Sequence, residues 1–138
     1  MITRFRGQYG FLSNMHDCDV KYNGLTFKNS ESAFQAQKCI SESHKFTNMS
    51  GPKAKRYALT LPLREDWAEV RVGIMCEVVY EKFSQNPELK KKLLDTGLEE
   101  LIEGNDHKDT FWGVYNGNGK NMLGKILMKV RSELGREC

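Results

Sequence analysis

The chain has 138 residues, with 21 Lys and Arg against 18 Asp and Glu, and its formal net charge is +3. Its content of 39% hydrophobic and 10% aromatic residues excludes a disordered, collagen-like or low-complexity protein. The length predicts one domain over residues 1–138. The small positive excess permits a phosphate-bearing ligand but does not require nucleic acid.

The spacing of cysteines and histidines argues against metal and disulfide chemistry. The four cysteines, at positions 18, 39, 76 and 138, form none of the close pairs typical of zinc sites or redox motifs. His16, His44 and His107 show no ligand spacing either. No signal peptide or long apolar run is visible. We therefore expect reduced thiols, no metal or redox cofactor, no membrane span and a cytoplasmic location.

Strands are expected towards the N-terminal end. Residues 9–14 change from apolar to polar, which predicts a strand that ends in a loop. Residues 20–22 and 25–27 carry apolar side chains at alternate positions around Asn23-Gly24. That dipeptide is typical of a type I′ hairpin, because both of its residues tolerate positive φ.

Helical spacing and capping residues predict five helices in the rest of the chain. They run from Glu31 to about Ile40, from Gly51 to about Leu59, from about Arg64 to Phe83, from Asn86-Pro87 to about Leu94, and from about Asn121 to Leu134. Residues 98–103 fit either a short strand or a helical turn. The fold is therefore predicted to be α+β, a single mixed domain that is mostly helical with a small N-terminal-side β-sheet.

Three polar residues share one face of the first predicted helix. Glu31, Gln35 and Lys38 fall on the same side at about 100° per residue, and small apolar residues lie opposite. One interpretation is an ordinary amphipathic helix with a solvated polar face. The other is a carboxylate, an amide and an ammonium lining a cleft, where they bind sugar hydroxyls or phosphate and supply an acid or base. This segment alone does not decide between them.

The long third helix places two cations within its apolar arc. Arg71 and Lys82 project on the same side as Trp67, away from the glutamates. A cation there either extends its head to water past its own packed stem or pairs with a negative group. Two such residues on one helix favour an anionic ligand, and Arg suits phosphate because its guanidinium forms two parallel hydrogen bonds.

An acid, two aromatics and a glycine occur together in Asp109-Thr110-Phe111-Trp112-Gly113. In a loop, this composition offers a stacking platform for a base beside a carboxylate. The alternative is a Trp that anchors the loop and an Asp that caps a turn. The small residues of 117–121 then precede the last helix, where free backbone N–H groups favour an anion.

Short motifs follow one another in order from Phe11 to Leu134. They are Phe11-Leu12-Ser13-Asn14, Val20-x-Tyr22-x-Gly24, Ser30-Glu31-x-Ala33-Phe34-Gln35-Ala36-x-Lys38, Trp67 with Arg71-x-x-x-Met75, Lys82-Phe83-x-Gln85-Asn86, Leu93-Leu94-x-Thr96-Gly97, Leu101-Ile102-Glu103, Asp109-x-x-Trp112-Gly113, Gly119-x-Asn121-x-Leu123-Gly124 and Leu127-Met128-x-Val130-Arg131. Together they resemble the NADAR family of YbiA-like, riboflavin-biosynthesis-associated N-glycosidases. One position departs from the family, in which the residue after the helix glutamate is often His; it is Ser32 here.

The resemblance implies hydrolysis of the N-glycosidic bond of a phosphorylated ribosyl-base compound. The implied substrates are phosphoribosylaminopyrimidine intermediates of riboflavin biosynthesis, or ADP-ribosylated guanine. The guanine is either free or part of an ADP-ribosylated nucleic acid. A non-catalytic module that binds NAD or ADP-ribose in the same pocket is the alternative. A small nucleic-acid-binding protein, suggested by the positive charge, is a third hypothesis. The sequence leaves the oligomeric state open.

The resemblance also implies the roles of individual residues. Glu31 and Asp109 become the acid/base or charge-stabilising pair, and which carboxylate does which is left open. Lys38 either holds phosphate and ribose or forms an imine with the opened sugar, which a desolvated amine can do. The implied substrate-binding residues are Asn14, Gln35, Trp67, Arg71, Lys82, Trp112, Gly113 and Asn121.

Overall fold

The structure is a computed structural model that describes residues 1–137; the fourth cysteine, at position 138, lies outside this range. It contains two compact units, Asn14–Asn86 and Met1–Ser13 together with the chain from Pro87 onward. The prediction of one domain over residues 1–138 stays a prediction, because compactness does not show whether a unit folds alone. The α+β class, mostly helical with a small sheet near the N-terminal end, is confirmed.

The predicted hairpin is present in the unit formed by Asn14–Asn86. Strands β1 (Val20–Tyr22) and β2 (Leu25–Phe27) pair antiparallel. Asn23 and Gly24 between them have φ of 49° and 81°. Positive φ at both central residues is the requirement of a type I′ turn, so this prediction is confirmed.

Three α-helices follow the hairpin in the same unit. They are α1 (Ser30–Gln35), α2 (Gly51–Ala58) and α3 (Trp67–Gln85), and 3₁₀ segments cover Ala36–Lys38 and Ile40–Phe46. The prediction of α2 is confirmed, and α3 begins three residues later than expected and ends two residues later. Helix α1 is much shorter than the predicted span to Ile40.

Side-chain hydrogen bonds explain the early end of α1. The Gln37 amide donates to the Ala33 carbonyl at 2.9 Å, the group to which the backbone N–H of residue 37 would bond in a continued α-helix. The carbonyls of Gln37 and Lys38 accept hydrogen bonds from Arg64 instead. Cys39 then adopts an extended conformation. One local side-chain bond and two bonds from the distant Arg64 therefore replace the helical pattern where the sequence would allow the helix to continue.

The core of this unit lies where the hairpin, α1, α2 and α3 meet. Small residues on α1 and α2 allow the two helices to pack closely. The fully or nearly buried members are Val20, Phe27, Ala33, Ala36, Phe46, Ala54, Ala58 and Val78. The apolar arc predicted for α3 is also confirmed, with Trp67, Met75, Val78, Val79 and Phe83 all buried.

The other unit is built on α4 (Pro87–Asp95), which packs against α5 (Met122–Arg136). Both helices were predicted within about two residues of these bounds. Residues 98–103 take up neither expected element in full, since they contribute a single parallel bridge between Leu101 and Ile2. No helix within the described residues is long and apolar enough to cross a bilayer.

The strand predicted at residues 9–14 is wrong. Gly7–Leu12 forms a 3₁₀ helix instead. Phe11 and Leu12 are both buried, whereas neighbouring residues of a strand point to opposite faces. A tight turn allows two successive apolar side chains to be buried together, and Gly7 with φ of 58° allows the chain to enter it.

Candidate active site

The start of α1 is held by side chains from its own unit. Asn29 caps the helix by accepting a hydrogen bond from the Ser32 N–H at 2.7 Å, and its amide donates to the Met49 carbonyl at 3.0 Å. The Ser32 hydroxyl donates to the same carbonyl at 2.9 Å. Ser32, which departs from the family pattern, therefore has a structural bond of its own.

Asn14 is brought next to Glu31 by the same helix start. The backbone N–H of Glu31 donates to the Asn14 carbonyl at 3.0 Å, and the Ser30 hydroxyl donates to Asn14 Oδ1 at 2.9 Å. Asn14 Nδ2 donates to Met75 Sδ at 3.4 Å. These bonds give Asn14 a role in positioning Glu31; its contact with substrate stays a prediction.

Glu31 and Gln35 form a buried pair on α1. They are 9% and 3% exposed, and Gln35 Nε2 donates to Glu31 Oε2 at 2.6 Å. Glycine at position 51 leaves room beside Glu31, because a Cβ there would lie 3.3 Å from Glu31 Cβ, closer than an ordinary van der Waals contact. The solvated-face interpretation of these two residues is therefore wrong.

Lys38 lies beside this pair, at the end of the 3₁₀ segment that continues α1. Burial lowers the pKa of its amine, the negative charge of Glu31 opposes that change, and Lys55 adds to it. Its Nζ lies 5.7 Å from the centroid of the Trp67 ring, and Trp67 contacts Phe34 with a centroid separation of 5.1 Å. A carboxylate, an amide, an amine and an indole thus come together around α1.

The two cations of α3 differ in exposure. Lys82 has no accessible surface, so the alternative in which its head reaches water is excluded. Burial lowers the pKa of its amine to about 8, and the charge of Cys18 opposes that change. Direct contact between Lys82 and a phosphate is not supported by this conformation. Arg71 is half-buried, and its contact with a ligand stays a prediction.

In the other unit, Asp109 caps the turn that follows it. Its Oδ1 accepts hydrogen bonds from the backbone N–H groups of Phe111 at 3.0 Å and Trp112 at 2.9 Å. This is the turn-capping alternative that the sequence left open. Asp109 Oδ2 lies 4.0 Å from His107 Nε2, and the side chain is 23% exposed. One oxygen is thus structural, and a catalytic role of the other stays a prediction.

Trp112 and Gly113 occupy different environments in this loop. Trp112 is half-buried and packs edge-on against Phe111, with ring centroids 4.8 Å apart. Gly113 has no space for a side chain, because a Cβ there would collide with Glu103 and the Asn105 amide. Stacking of a base on Trp112 stays a prediction, whereas glycine at 113 is required by packing.

Asn105 organises the loop and was missed by the sequence reasoning. It is 5% exposed, and its Nδ2 donates to the Asp109 carbonyl at 2.9 Å and to Glu103 Oε2 at 3.1 Å. Its Oδ1 accepts from the N–H groups of His107 and Asp109. An Asn in a polar stretch predicts only a turn. Its position four residues before Asp109 is the one local signal of this role.

Asn121 joins the same part of the chain to the start of α5. It has a left-handed backbone with φ of 53°. Its Oδ1 accepts from the Glu103 N–H and its Nδ2 donates to the Leu101 carbonyl, both at 2.9 Å. Both ends of the amide are thus bonded to backbone. This supports a positioning role, and contact of Asn121 with substrate stays a prediction.

Within residues 1–137, no group of three or more His, Cys, Asp or Glu side chains could hold a metal ion.

The family is decided by comparison with known proteins. A family model described as the NADAR domain matches residues 3–135. The chain belongs to the NADAR family. The resemblance inferred from the ordered motifs is therefore confirmed.

Individual NADAR relatives agree with this assignment. The chain is 36% identical over 135 residues to N-glycosidase YbiA of Escherichia coli. The aligned region covers 94% of the chain and 84% of that protein. It is 34% identical over 135 residues to an N-glycosidase of Nostoc punctiforme, over 91% of the chain and 86% of that protein. The prediction of an N-glycosidase, a hydrolase acting on N-glycosyl compounds, is confirmed at this level.

A solved structure and a longer relative complete the comparison. The solution structure of E. coli YbiA superposes with a TM-score of 0.87 at 34% identity, covering 99% of the chain and 86% of YbiA. A riboflavin biosynthesis protein of Vibrio vulnificus is 40% identical over 133 residues. The match covers 91% of the chain but spans only 36% of that Vibrio protein's length.

We expect Asn105→Ala to destabilise the protein by about 2 kcal/mol or more, because it removes several buried hydrogen bonds and leaves their backbone partners unsatisfied. Asn118→Ala is the matched control, since Asn118 is exposed and its amide makes one bond within its own turn. Urea unfolding of both variants measures the effect. Equal midpoints would show that Asn105 does not organise the loop.

The buried Lys82 should make stability depend on pH. The unfolded chain keeps this proton up to about pH 10.5, whereas the folded protein releases it near pH 8. The unfolded state binds more protons between these values, so Lys82 adds about 3 kcal/mol to the free energy of unfolding as pH rises through this window. Lys82→Met should lack this rise and Lys53→Met, at an exposed position, should retain it. Parallel pH profiles of urea unfolding for the wild type and Lys82→Met would contradict the prediction.

Proposed function

We propose that the chain hydrolyses the N-glycosidic bond of phosphoribosylaminopyrimidine intermediates of riboflavin biosynthesis. Two relatives are named riboflavin biosynthesis proteins, and these names support the choice of pathway. They are the Vibrio protein and a chloroplastic protein of Arabidopsis thaliana, which is 43% identical over 72 residues, or 51% of the chain and 12% of that protein. The observation that carries the proposal is the buried pair of Glu31 and Gln35 beside the half-buried Lys38, in a chain of this family.

The chemistry of the bond explains why these residue types are suitable. Cleavage of a C–N glycosidic bond passes through a state in which the anomeric carbon resembles an oxocarbenium ion. A carboxylate such as Glu31 stabilises that positive charge or activates a water molecule. A second group then protonates the departing nitrogen. We assign Asp109, through its Oδ2, as a candidate for the other carboxylate role.

Recognition of the rest of the substrate is assigned to the remaining predicted residues. The guanidinium of Arg71 suits a phosphate group. Trp112 is proposed as the surface on which the base stacks, and Trp67, next to Lys38, as part of the wall of the substrate pocket.

We also propose a cytoplasmic location, which the sequence predicts. ADP-ribosylated guanine, free or within nucleic acid, is the second substrate class.

The lowered pKa of Lys38 favours a covalent variant of the mechanism. A larger neutral fraction of the amine makes Nζ a better nucleophile. Attack by Nζ on the anomeric carbon would expel the base and leave the sugar attached to Lys38. The adduct opens to an imine, and water then hydrolyses the imine to restore the amine. The alternative is that Lys38 only binds the phosphate and ribose.

Glu31→Gln should lower the rate of base release at least about 100-fold, because the amide keeps the shape of the side chain but not its charge. Glu69→Gln is the control, since Glu69 lies exposed on α3, and it should stay within about twofold of wild type. Chromatography of the free base after incubation with phosphoribosylaminopyrimidine measures the rate. Wild-type turnover in Glu31→Gln would remove this residue from the mechanism.

The choice of substrate class is tested with the wild-type protein. Release of guanine-containing product from ADP-ribosylated guanosine, without release of base from the pyrimidine, would select the second class. Thermal stabilisation by ADP-ribose with no turnover of either compound would identify a binding module. Binding of bare DNA or RNA that falls steeply with salt would instead favour the nucleic-acid hypothesis.

Borohydride reduction during turnover should attach the sugar permanently to Lys38 if the imine forms, because reduction converts the imine to a stable amine. Mass spectrometry of the peptide that contains Lys38 measures the adduct. Lys55→Arg serves as a control in which the adduct should persist. Turnover without any adduct on Lys38 would exclude the imine and show that Lys38 only binds the phosphate and ribose.

A further inference from the structure

The hydrogen bond between Gln35 and Glu31 has a chemical direction. The amide nitrogen Nε2 of Gln35 can only donate hydrogen bonds. At 2.6 Å from Glu31 Oε2 it therefore donates to that oxygen. Such a bond is stronger when the carboxylate is ionised, since hydrogen bonding to the charged form favours that form. The opposite orientation of the amide would bring two acceptor oxygens together unless Glu31 were protonated.

The other end of the same amide shows which of its bonds matters. Gln35 Oε1 is buried and accepts no hydrogen bond from any residue in the described range 1–137. An apolar side chain of the same size would leave no such unsatisfied oxygen. The amide is disfavoured at this position unless its donor matters. The donor bond to Glu31 is the contribution that only a glutamine makes here.

Other charges also act on Glu31 and have to be separated from Gln35. The elements that pack against α1 are α2, α3, the hairpin and the two 3₁₀ segments. Among their ionisable groups, Lys38 interacts with Glu31 and Lys55 on α2 acts in turn on Lys38. Helix α3, which packs against α1, carries two further cations, Arg71 and the buried Lys82. These groups carry positive charge when protonated and favour the same ionised form, so a test must leave them unchanged.

We infer that Gln35 is a positioning residue that holds Glu31 ionised, with Oε2 as a fixed hydrogen-bond acceptor. Glu31 then supplies negative charge to the transition state or takes a proton from water, and it is not the group that protonates the leaving nitrogen. This inference rests on the proposed function for its catalytic meaning. Its electrostatic part concerns the free protein and is measured without substrate.

The test is a ¹³C NMR titration of the Glu31 carboxyl carbon in the whole chain, assigned by its absence from the spectrum of Glu31→Gln. In Gln35→Leu the midpoint should rise by about one pH unit or more, because the ionised form loses its donor. In Gln35→Glu two carboxyl groups would share a proton, and the midpoint of the pair should rise further. Gln37→Glu is the matched control, because Gln37 is equally buried but bonds to Ala33 and Asn23 instead.

An unchanged Glu31 midpoint in folded Gln35→Leu or Gln35→Glu would overturn the inference. If one variant fails to fold, the other still gives the titration. For the active enzyme, the acid limb of the pH profile of kcat should move to higher pH by the same amount in Gln35→Leu, and it should not move in Gln37→Glu. If the wild type releases no base at all, the proposed function fails, and the titration alone still decides the role of Gln35.

Discussion

The N-terminus of α1 is enclosed within the protein, and this is the constraint on which the site around Glu31 depends. All residues of this helix are buried, including several polar ones. Helix N-terminal N–H groups removed from water require acceptors from the chain itself. The Asn29 side chain accepts from the Ser32 N–H, and the Asn14 carbonyl accepts from the Glu31 N–H. The Met49 carbonyl accepts from the side chains of Asn29 and Ser32 and so holds the cap itself in place. The loops that contain Asn14, Asn29 and Met49 are therefore all tied to the start of α1. Together they fix the backbone position of Glu31.

The unit that contains Asp109 solves a similar problem with amide side chains. Its irregular segment between Leu101 and Gly113 forms only isolated bridges, so much of its backbone needs side-chain partners. Asn105 and Asn121 provide these partners from buried positions, with both ends of each amide bonded. Asp109 contributes one carboxylate oxygen to the same purpose. Asp109 and Asn121, which the resemblance assigns to catalysis and to substrate, thus also hold the backbone of this loop.

Elements whose signals are local could be predicted from the sequence. The hairpin follows from Asn23-Gly24, and α2, α4 and α5 follow from their caps and apolar period. The errors concern segments whose structure depends on distant residues. The end of α1 is set by Arg64 and by the Gln37 side chain. The 3₁₀ helix at Gly7–Leu12 buries two successive apolar residues. The alternation of apolar and polar residues that is used to predict strands does not indicate such a turn.

The candidate site shows a second limit of prediction from sequence. Helical periodicity predicts which face of a helix a residue lies on, but not which other parts of the chain cover that face. The resemblance implies that Lys38 and Lys82 both hold phosphate and ribose, with imine formation as the alternative role of Lys38. Burial separates them, since Lys38 is half-buried while Lys82 has no accessible surface. Both amines have a lowered pKa, yet an amine that reacts with a sugar must also be reachable. Lys38 meets both conditions and Lys82 only one, which supports the proposal that the reacting amine lies beside Glu31 and leaves Lys82 as an internal charge of the fold.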